Sequence, residues 1–345
     1  MNLADVWFII IAVFWTGFFV LEGFDFGVGV IHSFVGRTET ERRVAINTVG
    51  PFWDGNEVWL VVGAAAIFAA FPAWYATWIS ASYLAIVLLL VALIVRGISF
   101  EWRGRGRRDS WRWGWSLCLT AGSIVAPTVL GLALGDLLAG LPIDSDGNFT
   151  GTFWSLFTGF GVWTGLTILA LCLLQGSTFL ALRATDAVRG RARGFGHVVS
   201  FVGLGMVVVF GVWMALVAHP GPATYVLLAI SLVAVLASLV AQFRARDGLA
   251  FTGSSVAIAL VVASLFVSLY PNVLVSSTSA ANTLTVAGSA SGDYALSVMS
   301  IVALVCFPIV LLYQGYTYVV FRRRVVGAPP TAERSAPESS APAVN

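Results

Sequence analysis

The sequence predicts an all-α integral membrane protein of nine transmembrane helices, and three observations carry that reading. Of 345 residues, 58% are apolar and only 10% charged, where an ordinary soluble protein carries about one charged residue in four. The apolar residues fall in runs of about 20, long enough to cross a hydrocarbon slab of roughly 30 Å as a helix. The chain has no lysine, and its arginines gather in alternate connections. A soluble enzyme is excluded, because one water-surrounded core cannot absorb so much apolar surface.

The runs lie at 5–33, 48–70, 75–100, 115–140, 153–183, 197–218, 222–243, 250–270 and 293–321. Residues 1–324 therefore read as a single polytopic membrane domain, inserted in the lipid bilayer and with no signal for binding nucleic acid. Span 1 has Asp5 near its start, no basic leader and no small-residue cleavage site after it, so it reads as a retained helix. Arg37, Arg42 and Arg43 follow span 1, and Arg103, Arg105, Arg107, Arg108 and Arg112 follow span 3. Arg183, Arg189, Arg191 and Arg193 follow span 5, Arg244 and Arg246 span 7, and Arg322, Arg323, Arg324 and Arg334 span 9. Arg96 sits at the inner end of span 3, where it is expected to snorkel to the interface. The other connections and the first residues hold Asp5, Asp136, Asp144, Asp146 and Asp293 but no arginine. Since basic residues favour the cytoplasmic side, the N-terminus is expected outside and the C-terminus inside.

Trp74, Tyr75 and Trp78 at one boundary, and Trp102, Trp111, Trp113 and Trp115 at the other, read as interfacial anchors. Residues 325–345, rich in Pro, Ala and Ser, read as a disordered cytoplasmic tail. Cys118, Cys172 and Cys306 are single residues within apolar runs, without the spacing of a disulfide framework or a zinc or iron–sulfur site. His32, His197 and His219 are too few and too scattered for a chain holding several hemes. Glu22-Gly23, Gln175-Gly176 and Gln314-Gly315 recur late in spans 1, 5 and 9. That interval of four helices suggests two four-helix bundles followed by a peripheral ninth helix.

Four acids lie inside predicted spans and away from their outer ends: Glu22 and Asp25 in span 1, Asp54 and Glu57 in span 2. An ionised carboxylate in the bilayer centre costs roughly 2.5–3.5 kcal/mol even on lenient scales, so such groups usually face protein or water and serve ions or protons. Each pair is spaced i, i+3 and occupies one helix face. Both pairs fall toward the cytoplasmic half, so they are expected to face each other across an acidic, hydratable inlet. Gly23, Gly27, Gly29 and Gly55 permit close helix approach, and Asn56 adds a neutral hydrogen-bonding group. The acids could instead neutralise Arg37, Arg42, Arg43 or Arg96. Pro127 and Pro308 read as ordinary kinks rather than a broken-helix substrate site. At this level a proton-coupled secondary transporter, a redox-complex subunit and a structural scaffold subunit all stand.

One class fits the motifs more closely. Leu21-Glu22-Gly23-Phe24-Asp25-Phe26-Gly27-Val28-Gly29, Thr40-Glu41-Arg42-Arg43 and Gly50-Pro51-Phe52-Trp53-Asp54-Gly55-Asn56-Glu57-Val58-Trp59-Leu60, in this order and spacing, resemble subunit II of the cytochrome bd quinol oxidases. The resemblance runs on through Phe71-Pro72-Ala73-Trp74-Tyr75-Ala76, Arg96, Phe100-Glu101-Trp102-Arg103, Ser276-Ser277-Thr278 and Pro308-Ile309-Val310-Leu311-Leu312-Tyr313. It implies a nine-helix subunit in the bacterial plasma membrane, paired pseudosymmetrically with subunit I. Subunit I would hold two b-type hemes, one d-type heme and the quinol oxidation site, and subunit II no heme. The complex would reduce O₂ to water and build a membrane potential, with electrons entering from outward-facing quinol and protons from the cytoplasm.

The resemblance also implies a proton route through the acid matching Asp54, with that matching Asp25 nearby. Glu57 and Glu22 would extend the route, and Trp53, Gly55, Asn56, Arg96 and Glu101 would support it. Two departures matter: the family allows a neutral amide at the place of Glu57, and the connection around His219-Pro220-Gly221-Pro222 is short. A structural quinone occurs in this subunit in some relatives, and no residue here assigns it; whether small accessory membrane subunits join the complex is not written in the sequence.

Overall fold

The computed structural model describes residues 2–325, so all but the first residue of the predicted tail, 325–345, lies outside the described residues. In chain order the helices are α1 (Leu3–Val35), α2 (Glu39–Asn47), α3 (Trp53–Ala70), α4 (Pro72–Ala81), α5 (Tyr83–Trp102) and α6 (Asp109–Ala139). They continue with α7 (Gly159–Arg183), α8 (Asp186–Ala218), α9 (Pro222–Phe243), α10 (Asp247–Leu269), the single turn α11 (Val286–Ser289) and α12 (Asp293–Val320). Among the described residues, eight helices are long and apolar enough to cross a membrane: α1, α5, α6, α7, α8, α9, α10 and α12. The chain is thus an all-α, multi-pass membrane protein. Helix α3 falls outside the eight because its first five residues, Trp53-Asp54-Gly55-Asn56-Glu57, include three strongly polar side chains.

Side chains set several of the helix starts. Asn2 and Asp5 form a reciprocal cap on α1, and Thr38 and Glu41 form one on α2, each satisfying backbone donors that the first turn leaves free. Helix α3 begins at Trp53 rather than near residue 48, after a turn at Gly50-Pro51. The predicted fifth span starts late as well, since residues 153–156 form a 3₁₀ turn and α7 begins at Gly159.

The third apolar run is not one helix but two. Pro72 at the first helical position starts α4, and Ser82, with φ −91° and ψ 11°, separates it from α5. The break turns Trp74 and Trp78 inward, correcting the expectation that they anchor at an interface. Both are buried, the two rings 6.0 Å apart, with Phe8 and Phe71 against Trp74 and Trp15 against Trp78. At the arginine-rich end, Trp102, Trp111 and Trp113 are exposed, as a boundary position requires.

Helix α1 occupies the centre, packed against α3, α6, α7 and α10. A Cβ on Gly27 would collide with the backbone of Cys172 and Gly176, and one on Gly176 with Gly27, so these glycines let α1 and α7 meet backbone to backbone. Helix α12 is peripheral, with Leu296 its one buried residue. It rests on α1 and α3, where the Trp7 indole N–H donates to Ser300 Oγ (3.1 Å) and Phe307 meets Phe14 edge-on.

At the arginine-poor end, β1 (Asn272–Leu274) and β2 (Leu284–Thr285) pair antiparallel, and the loop after α6 is laced to them through Leu141 N–H to Val275 O (3.0 Å) and Ser277 N–H to Leu141 O (2.9 Å). Gly140, at φ 92°, makes the turn out of α6 where a side chain would be strained. Asp136 is not in a connection as the charge pattern suggested. It lies buried near the end of α6, accepting from the hydroxyl of Thr158 (2.6 Å), the residue that caps α7.

Ion pairs tie the opposite end together. Arg103 grips Glu39 through two 2.8 Å hydrogen bonds, Arg191 reaches Glu41 at 2.7 Å, and Arg189, Arg193 and Arg324 surround Asp247.

Candidate functional site

Glu22 and Asp25 lie one turn apart on α1, both fully buried. Arg96 of α5 meets them in the interior, also fully buried, so it does not snorkel as its position near the helix end suggested. Its guanidinium is drawn inward by Glu22, 2.6 Å away, and by Glu57 of α3 at 3.3 Å. The rings of Phe26 and Phe100 lie 4.7 and 5.3 Å from its central carbon, and Phe100 in turn stacks on Trp53 with centroids 5.0 Å apart. The Glu22–Arg96 contact is close but poorly directed, so the Glu22 oxygens and Arg96 Nε lack an aligned hydrogen-bond partner within the chain.

Asp25 is held differently. Its Oδ2 accepts from the amide of Asn56 at 2.7 Å, and its Oδ1 has no partner. The same Asn56 nitrogen donates to Leu21 O (2.9 Å), while Asn56 Oδ1 accepts from Gln314 Nε2 (2.7 Å) and from the Tyr318 hydroxyl (3.1 Å), both on α12. The cluster thus draws on α1, α3, α5 and α12.

Asp54 is not in it. The i, i+3 spacing puts Asp54 and Glu57 on one face of α3, and that face turns away from α1, whereas Asn56 takes the inward face. Asp54 is exposed and lines, with Glu57 and Trp53, an apolar groove of about 960 Å³ beside α3, α5 and α6. The two acid pairs therefore do not confront each other directly. From Asp54 the carboxyls lead to Asp25 by way of Glu57, Arg96 and Glu22. Glu101 is exposed in the last turn of α5, apart from the buried cluster, and Gly55 lies beside Gln314.

Gln314 and Tyr318 were not singled out as site residues, since isolated polar side chains on an apolar helix some 260 positions from Asn56 carry no spacing signal. The echo of Glu22-Gly23 in Gln314-Gly315 was the one sequence cue. Its third copy, Gln175, also lands beside the site, donating to Val20 O of α1 at 2.8 Å.

Over residues 3–321 the chain matches the family described as cytochrome bd terminal oxidase subunit II. The chain belongs to that family. It is 42% identical over 328 residues to the cytochrome bd ubiquinol oxidase subunit 2 of Bacillus subtilis (strain 168), covering 94% of this chain and 97% of that protein. It is 32% identical over 350 residues to the cytochrome bd-I ubiquinol oxidase subunit 2 of Escherichia coli (strain K12), covering 91% and 92%. Its fold is similar to a chain in the structure of bd oxidase from Geobacillus thermodenitrificans, with a TM-score of 0.77 at 18% identity, covering 93% of this chain and 98% of that one. As a cytochrome bd subunit II, it is a multi-pass protein of the bacterial plasma membrane and a subunit of a respiratory quinol oxidase.

The buried histidine of α1 is not free to ligate a heme iron. Buried His32 has both ring nitrogens engaged, Nδ1 with Gly29 O (2.7 Å) and Nε2 with Ser33 Oγ (3.0 Å). Among the described residues no group of three or more His, Cys, Asp and Glu side chains converges as a metal site. The carboxyls gathered about Arg96 are groups able to hold and orient a proton.

Proposed function

We propose that this subunit II stabilises a heme-bearing subunit I and supplies a route for cytoplasmic protons toward it. The observation that carries the reading is a set of three carboxyls, Glu22, Asp25 and Glu57, gathered about one buried guanidinium, Arg96, with an exposed fourth, Asp54, at the groove beside them. One positive charge cannot balance three negative ones in a low-dielectric interior, so charge balance favours a proton shared among the carboxyls. A shared proton that can exchange with the exposed Asp54 is what a relay requires.

The membrane frame completes the proposal. Helix α3 is taken as the crossing that brings the total to nine, with α4 and α5 together forming the third. The first four crossings and the next four make two bundles, with α12 outside them. The arginine-rich end faces the cytoplasm, which places the N-terminus outside and Asp54 near the water from which protons are taken. The apolar groove carrying Asp54 and Glu57 suits contact with protein better than lipid, since carboxylates facing hydrocarbon are costly. Subunit I, with two b-type hemes and one d-type heme as the resemblance implies, is the partner in a heterodimer that oxidises quinol outside and reduces O₂ with protons from inside, building a membrane potential.

Arg96 paired with two glutamates also suits a scaffold in which no proton uses the acids, and one variant separates the two. Asp54→Asn, in complex with subunit I, is expected to lower quinol-dependent O₂ uptake by about tenfold or more, with heme content intact. Unchanged uptake at full heme content in the Asp25→Asn, Asp54→Asn double variant would favour the scaffold.

A further inference from the structure

Asn56 has a different demand on each side of its amide. The nitrogen serves two acceptors, Asp25 Oδ2 and Leu21 O, and the oxygen serves two donors, Gln314 Nε2 and the Tyr318 hydroxyl. Turned over, the amide would set its oxygen 2.7 Å from a carboxylate oxygen, acceptor against acceptor, unless that carboxyl held a proton. The orientation of Asn56 and the protonation of Asp25 are therefore linked, and α12 holds one end of the link. Elsewhere this helix is among the least buried of the chain, yet here it inserts two polar side chains. The Tyr318 ring also stacks on Phe52, 4.7 Å between centroids and 16° from parallel, which fixes where its hydroxyl points.

We propose that Gln314 and Tyr318 are positioning residues of the proton route: by donating to Asn56 Oδ1 they keep its NH₂ on Asp25, so that Asp25 receives protons in a fixed geometry. The charged and titratable groups facing Asp25 are Glu22 on its own helix, Glu57 on α3, Arg96 on α5 and Tyr318 on α12. Of these elements only α12 is peripheral, so a partner or lipid pressing on α12 can reach the acid through Asn56. The inference rests on the proton-route reading and adds to it a set point supplied from outside the bundles.

The test uses the intact oxidase carrying Gln314→Leu with Tyr318→Phe. Losing both donors is expected to lower turnover about three- to tenfold, to displace the pH profile of turnover, and to leave heme content and the KM for quinol unchanged. In an Asn56→Leu background the same pair is expected to cost nothing further, because it acts through the amide. If the pair prevents assembly, Tyr318→Phe alone keeps the ring on Phe52, removes only the hydroxyl and is expected to displace the pH profile in the same direction. Unaltered turnover and pH profile, or equal losses with and without Asn56, would overturn the inference. Asp25→Asn in parallel separates the two failures: slowed by Asp25→Asn but untouched by the α12 changes, the oxidase keeps its proton route and loses only the set point. Unaffected by Asp25→Asn, it has neither.

Discussion

Asp247 and Asp25 are both carboxylates on long apolar helices, and their surroundings differ in kind. Asp247 opens α10 at the arginine-rich end, where Arg189 and Arg193 donate four hydrogen bonds of 2.6–3.0 Å to its two oxygens. Arg324 stands 3.6 Å away. Asp25 lies inside, with one directed bond from a neutral amide and one oxygen without a partner. A carboxylate surrounded by cations has its charge cancelled and its lone pairs filled, and it holds helices together. One sharing a single guanidinium with two other acids is left with unfilled hydrogen-bonding capacity, which is costly to maintain in a core and useful for accepting a proton.

The comparison breaks most readily at Arg96. Arg96→Leu leaves Glu22 and Glu57 without their cation, and removing one partner of a buried pair costs about 3–5 kcal/mol. The variant complex is expected to lose much of its thermal stability and yield, read as Tm and as assembled heme per membrane protein. Asp247→Asn sharpens the other side. Its arginines are each partly exposed and recover hydration, so the loss is expected to be smaller, about 1–2 kcal/mol. It should appear as a lower Tm with turnover per heme unchanged.

The smallest effect lies at Glu41, where the Arg191 guanidinium and the backbone N–H groups of Thr38 and Arg37 hold the carboxyl down at about 2, from an ordinary 4.5. A depressed carboxyl contributes stability above its ordinary value and loses that contribution as pH falls from 4.5 toward 2. Glu41→Gln is expected to lower Tm slightly at pH 6–7 and by less at pH 3, so that the difference in Tm between pH 6 and pH 3 narrows.

Much of this was legible in the sequence, and the reasons differ from place to place. The 222–243 run coincides with α9 because Pro222 and the arginine after Phe243 mark both its ends. The third run concealed its break, since Ser82 is neither Gly nor Pro and its backbone turn leaves no compositional mark. Trp74 and Trp78 read as anchors because a tryptophan beside a loop has the same local sequence whether the chain beyond it faces lipid or folds inward. In the site, the i, i+3 spacing correctly joins Asp54 to Glu57 on one face, but spacing within a helix cannot say which neighbour that face meets. Glu22, Asp25, Arg96 and Asn56 were each visible as polar residues in apolar company. Their convergence with Gln314 and Tyr318 was not, because it depends on the packing of a helix far along the chain.

The central claim is that the under-satisfied cluster carries protons whereas the satisfied one carries structure. It is tested most directly by quinol-dependent O₂ uptake, per heme, of the oxidase bearing Asp25→Asn. The account predicts a fall of about tenfold or more with heme content and Tm retained, because a neutral amide is easier to bury than an under-satisfied acid. Undiminished uptake would contradict it and leave Asp25, like Asp247, a part of the scaffold.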